Sequence, residues 1–81
     1  MLFDEVKNVI ADALRVPADT LDADSSVGDF PEWNSLGHML IVNAIEEHFG
    51  ITLDSEHIME LESVADFAEA VETQRGGNAG R

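Results

Sequence analysis

Apolar positions recur along this chain with the period of a helix in four places, and no segment sustains the alternation of a strand. Between residues 2 and 15, Leu2, Phe3, Val6, Val9, Ile10, Ala13 and Leu14 fall on one face at roughly 100° per residue. Asp4, Glu5, Lys7, Asn8, Asp12 and Arg15 take the other face, so the pattern predicts an amphipathic helix. Pro17 ends it and biases Val16 toward an extended conformation. Residues 16–34 form a long connection rich in Asp, Ser and Ala, in which Asp19, Thr20 or Asp24 could cap a short helical turn. A connection this long needs pins, and Leu21, Val27, Phe30 and Trp33 are the side chains expected to dip into the core.

The stretch 33–50, WNSLGHMLIVNAIEEHFG, organises the rest. On a helical wheel His38, Ile41, Val42, Ile45 and Phe49 share a narrow arc that suits a core stripe. Leu36, Met39 and Leu40 gather on the opposite side near the start of the helix. A small domain buries one face of such a helix, so this second cluster is expected to be exposed. Asn34 and Ser35 are both good N-cap residues, and Gly50 suits the left-handed position after the last turn. Ile51-Thr52-Leu53 reads as a short extended link. Asp54 or Ser55 can cap a short helix over 55–61 with Ile58 and Leu61 turned inward. Ser63-Val64-Ala65-Asp66 then starts a last helix like a capping box. That helix is expected to run to about Gln74 with Val64, Phe67, Ala68 and Val71 on its inner face. Residues 76–81 are expected to form a disordered tail on a domain spanning 1–75. The fold class is all-α: a small four-helix bundle of three main helices, one short helix and a long first loop.

Composition narrows the chemistry. With 81 residues there is room for one small core, and with 44% hydrophobic but 6% aromatic residues that core is aliphatic. Cysteine is absent, so thiol chemistry has to come from outside the polypeptide. No apolar run is long enough for a membrane span and no signal-peptide layout opens the chain, so a cytoplasmic location is expected. The formal net charge of -13 sets the chain against nucleic acid, whose phosphates repel it, and favours partners with basic surfaces.

Three kinds of chemistry compete around Ser35. Asp22-Ala23-Asp24-Ser25-Ser26 begins like a calcium loop, but Val27 and Trp33 stand where that motif needs Gly and Glu. No metal site is therefore assigned. Ser35 and His38, three apart, suggest a hydrolase nucleophile and base. The leading glycine of G-x-S-x-G is replaced by Trp33, and no strand feeds the turn. His38 then reads as a residue at the edge of the core stripe with a hydrogen-bond partner, and no catalytic residue is assigned. The third reading makes Ser35 an attachment point. A hydroxyl at a helix N-terminus can carry a phosphodiester, because free N–H groups and the helix dipole favour negative charge there.

The run Asn34-Ser35-Leu36, after a long acidic loop and before a helix ending Ile45-Glu46-Glu47-His48-Phe49-Gly50-Ile51, resembles an acyl carrier protein. The resemblance covers about residues 2–74. It implies a bundle of acyl-carrier type and a non-enzymatic carrier, in which Ser35 matches the serine modified with 4′-phosphopantetheine donated by coenzyme A. The terminal thiol of that arm holds acyl or aminoacyl groups as thioesters. The resemblance also implies that Asn34, Leu36, Met39, Leu40, Asn43, Glu46 and Glu47 face partners. Those partners are a phosphopantetheinyl transferase and acyl-loading, condensing or transferring enzymes with basic docking surfaces. A monomer is expected.

Asn34 stands where the family usually has Asp, and Gly37 and Leu40 stand where fatty-acid carriers often have acids. The first helical turn is thus expected to be more apolar than usual, which points to a specialised pathway (polyketide, modified lipid, sugar-linked acyl or aminoacyl group). The competing function is an acidic helical adaptor without a prosthetic group. It shares the charge and the Leu/Met patch but leaves the serine at that helix start unexplained. The charge itself yields a prediction: added salt screens the self-repulsion of a chain at -13 and raises its thermal midpoint by a few degrees. Thermal melts across a sodium chloride series test it, and a flat or falling midpoint is the contrary result.

Overall fold

Among the described residues the chain forms four helices, α1 (Leu2–Leu14), α2 (Ser35–Phe49), α3 (Ser55–Glu60) and α4 (Val64–Ala79), with a 3₁₀ turn at Ala18–Thr20. The computed structural model describes residues 2–79. Local chemistry sets each boundary. Arg15 turns left-handed (φ 61°) after α1, and the N–H of Val16 reaches back to Ala11 O at 3.0 Å. Asn34 caps α2 by accepting from the N–H of Gly37 (2.8 Å), and Gly50 closes that helix at φ 66°, ψ 37°. Asp54 caps α3 by accepting from the N–H of His57 at 2.8 Å. At α4, Ser63 Oγ accepts from Asp66 N–H (3.1 Å) while Asp66 Oδ2 accepts from Ser63 N–H (3.3 Å), a reciprocal capping box.

α4 continues to Ala79 rather than ending near Gln74, so the expected disordered tail is helical that far. No proline interrupts residues 74–79, and glycine costs a helix only about 1 kcal/mol relative to alanine. Residues 80 and 81 lie outside the described residues.

α1 packs on both α2 and α4. Val6 and Ile10 from α1, Ile41, Val42 and Ile45 from α2, and Val64, Phe67 and Val71 from α4 meet with essentially no exposure, and Trp33 from the loop joins them. The two faces of α2 divide as the wheel predicts: Leu36 is 70% exposed and Met39 and Leu40 each 47%. His38 and Phe49, at the edges of the core arc, are half-buried. Ala11 and Ala70 are also buried, small contacts that the apolar pattern did not single out.

The long loop is pinned by side chains and by backbone. Leu21 and Trp33 are buried and Phe30 half-buried, as expected. Val27 is not: its side chain is exposed, and its backbone N–H instead donates to Glu62 O at 2.9 Å. The N–H groups of Val64 and Ala65 return the contact to Ser25 O and Ala23 O, forming one antiparallel bridge between Ser26 and Ser63. Ser25 is the pin that the pattern missed. It is buried, and its hydroxyl donates to Asp22 Oδ1 and accepts from Asp22 N–H. Asp22 Oδ1 also accepts from the N–H groups of Asp24 and Ser25, so the calcium-like run is a turn closed on its own carboxylate.

This packing predicts that Ile45→Ala destabilises the fold by about 2–5 kcal/mol, as large-to-small changes in a core do. Met39→Ala should shift stability by less than about 0.5 kcal/mol, as surface changes do. Urea midpoints of the two variants check the division, and equal losses would contradict it.

Candidate functional site

The first turn of α2 leaves two backbone donors open. Asn34 O receives the N–H of His38 at 2.8 Å and Asn34 Oδ1 receives that of Gly37. The N–H groups of Ser35 and Leu36 have no partner among the described residues. They lie at the positive end of the helix dipole, beside an exposed Ser35 whose hydroxyl makes no hydrogen bond among those residues. An anion esterified to Ser35 finds ready donors here, so the residues present fit a phosphodiester.

The first turn is as apolar as expected, with Leu36 70% exposed, but Gly37 itself is not at the surface. It is buried, and a Cβ there would drive into the carbonyl oxygen of Glu32 and press Leu14 Cδ2 at 3.1 Å. The residue is glycine because the loop end lies against the helix, and no acidic side chain fits. Of the three departures from an acid, Asn34 and Leu40 reach the surface and Gly37 does not.

Trp33 and His38 form the floor of the site. The indole Nε1–H donates to His38 Nδ1 at 3.0 Å, the two rings stack at 6.3 Å, and Phe67 of α4 meets the imidazole at 5.4 Å. This gives His38 the hydrogen-bond partner expected of it. An indole nitrogen only donates, so Nδ1 holds the lone pair and Nε2 the hydrogen. In that tautomer the ring has no free lone pair to accept a proton from Ser35, and no hydrogen bond joins the two side chains. The hydrolase arrangement is absent at this pair.

Asn34, Leu36, Met39, Leu40, Asn43 and Glu47 are all exposed on or beside α2, along one accessible face. Glu46 differs. It is half-buried, and its Oε2 accepts from the N–H of Leu53 at 2.8 Å, holding the link that follows the helix. Beside Ser35 opens a groove of about 480 Å³, walled by Ser35, His38 and Met39 of α2, Val27 of the loop, and Ile58 and Met59 of α3. Sequence reasoning missed Met59, which is 84% exposed. Its signal was a long apolar side chain on the outer face of a very short helix.

Comparison with known proteins agrees with this geometry. A family profile described as phosphopantetheine attachment site matches residues 4–71. The acyl carrier protein of Clostridium acetobutylicum is 35% identical over 66 residues, 82% of this chain and 86% of that protein. The acyl carrier protein of Picosynechococcus is 29% identical over 77 residues, 95% of each. The solution structure of the holo acyl carrier protein from Geobacter metallireducens superposes at a TM-score of 0.84 with 22% identity, over 98% of this chain and 91% of that one. The chain belongs to the phosphopantetheine-binding acyl carrier protein family, whose members are carriers and not enzymes.

Gly37→Ala tests how tightly the loop is held on α2. Helix propensity alone predicts a gain of about 1 kcal/mol, whereas the collision with Glu32 predicts a loss of about 1–3 kcal/mol. The expected outcome is the loss, read as a lower urea midpoint.

Proposed function

We infer that Ser35 is the residue that carries the 4′-phosphopantetheine arm, and that the chain presents acyl or aminoacyl groups to partner enzymes. The observation that carries this reading is the exposed, unpartnered hydroxyl of Ser35 at the start of α2, next to two open backbone donors and within the matched span. The bound arm supplies a thiol that a chain without cysteine lacks, and holds its cargo there as a thioester. The protein's own residues have simpler work. Asn34 fixes the first turn, Ser35 anchors the arm, and the N–H groups of Ser35 and Leu36 set their partial positive charge against the phosphate.

Partners dock on the exposed face of α2. Leu36, Met39 and Leu40 offer an apolar patch, while Glu47 and the wider negative field steer basic surfaces toward it. Glu46 serves the fold first, since its carboxylate is engaged with Leu53. The transferase that loads Ser35 meets Asn34, an amide in place of a charge. Together with Leu40, that departure supports a specialised pathway over the housekeeping synthesis of fatty acids. The working unit spans residues 1–75 and acts as a cytoplasmic monomer. Among the described residues no helix is long and apolar enough to cross a membrane.

Incubation with coenzyme A and a broad-range phosphopantetheinyl transferase should add one phosphopantetheinyl group, seen by intact mass. Ser35→Ala should accept none. Modification that persists in the alanine variant, or that fails on the parent with several transferases, overturns the assignment.

A further inference from the structure

The imidazole of His38 has a use that neither the core nor the attachment reaction accounts for. Its Nδ1 is taken by Trp33, so its Nε2 carries the hydrogen. That N–H has no partner among the described residues, and no buried side-chain nitrogen or oxygen there is left unsatisfied, so Nε2 is reached by solvent. His38 also lines the groove beside Ser35. The ring is held from two sides by fully buried neighbours, Trp33 and Phe67, so the donor stands ready with little rotamer freedom left to lose.

The remaining walls say what kind of molecule suits that donor. Val27, Met39, Ile58 and Met59 are apolar, and Glu62, an acceptor when ionised, stands at the rim. A groove with one fixed donor, one acceptor and a mostly aliphatic lining suits an amide carried on a branched aliphatic chain. The pantetheine arm is such a molecule, with a dimethyl-substituted carbon followed by two amides. A saturated acyl cargo has no N–H to offer Glu62. Ser35 is itself a wall of the groove, so the arm enters it already tethered, and a weak contact is enough to populate the docked state.

We propose that His38 is a positioning residue for the phosphopantetheine arm, its Nε2–H donating to an amide carbonyl of the arm while the arm lies in the groove between α2 and α3. The proposal rests on Ser35 being the attachment residue. Docked, the arm is held against its own carrier, and partners compete with His38 for it.

The test uses the full chain labelled with nitrogen-15 in histidine and carbon-13 in methionine methyls, compared before and after modification with coenzyme A. Intact mass first establishes that Ser35 is loaded, and a chain that takes no arm overturns this proposal together with the one it rests on. In the loaded protein with a free thiol, the His38 Nε2–H resonance should move downfield. Nuclear Overhauser contacts should join the arm to the His38 ring and to the Met39 and Met59 methyls. Loading that leaves these signals unchanged overturns the proposal and leaves the carrier assignment standing. Signals that change only after the thiol is acylated assign the contact to cargo, and also overturn it. In a second arm, Trp33→Phe with His38→Phe removes the donor without orphaning the indole N–H. Contacts from the arm to the Met59 methyl should be lost in that variant, and their persistence would mean that the groove holds the arm without His38.

Discussion

The buried indole of Trp33 fixes where everything else at the site can stand. Burying it removes roughly 200 Å² from water, worth on the order of 5 kcal/mol. Its N–H, left without an acceptor, would take back about 1–3 kcal/mol of that. His38 supplies the acceptor, so the full burial is kept. Trp33 is the last loop residue before the cap, and its backbone is tied as well, with Gly28 N–H donating to Trp33 O at 2.8 Å. Asn34 and Ser35 therefore emerge at the surface from a residue anchored in the core. Ser35 inherits its position from a fully buried residue, although it sits at the end of a long loop.

The helix that starts there is apolar on two sides, and each side answers a different demand. Ile41, Val42 and Ile45 hold the bundle, while Leu36, Met39 and Leu40 leave apolar area in water where other proteins can use it. An exposed patch of this kind also invites self-association. The net charge of -13 opposes that by keeping copies apart, and the same field draws in surfaces of opposite sign. One property of the chain thus acts both on its own copies and on surfaces of opposite sign.

Much of this was legible in the residues. The helical period placed α1, α2 and α4, Asn34, Asp54, Ser63 and Gly50 marked their boundaries, and the wheel separated the two faces of α2. What stayed hidden depends on distant neighbours. Val27 pins the loop through its backbone to Glu62, and a backbone bond leaves no mark on residue type. Gly37 looked like a missing acid because the approach of the Glu32 carbonyl is a fact of the folded chain. Glu46 looked like its neighbour Glu47 until Leu53 was found bonded to it. The groove needs α3 beside α2, and no pattern along one helix reports the wall supplied by another. The end of α4 was placed near Gln74 because the tail GGNAGR has little to bury, yet the helix continues to Ala79, since no proline stops it and glycine costs a helix only about 1 kcal/mol.

Glu46 is one of several acids with internal duties. Asp22, Asp29, Asp54 and Asp66 likewise accept backbone N–H groups in turns and caps. What those positions require is an oxygen of the right reach, and an amide offers the same oxygen. Asn34 already works that way, capping α2 without a charge. The acidity of the chain and the architecture of its turns are therefore separable. Charge can be removed, one Asp-to-Asn or Glu-to-Gln exchange at a time, while the turns that hold the scaffold under Ser35 keep their shape.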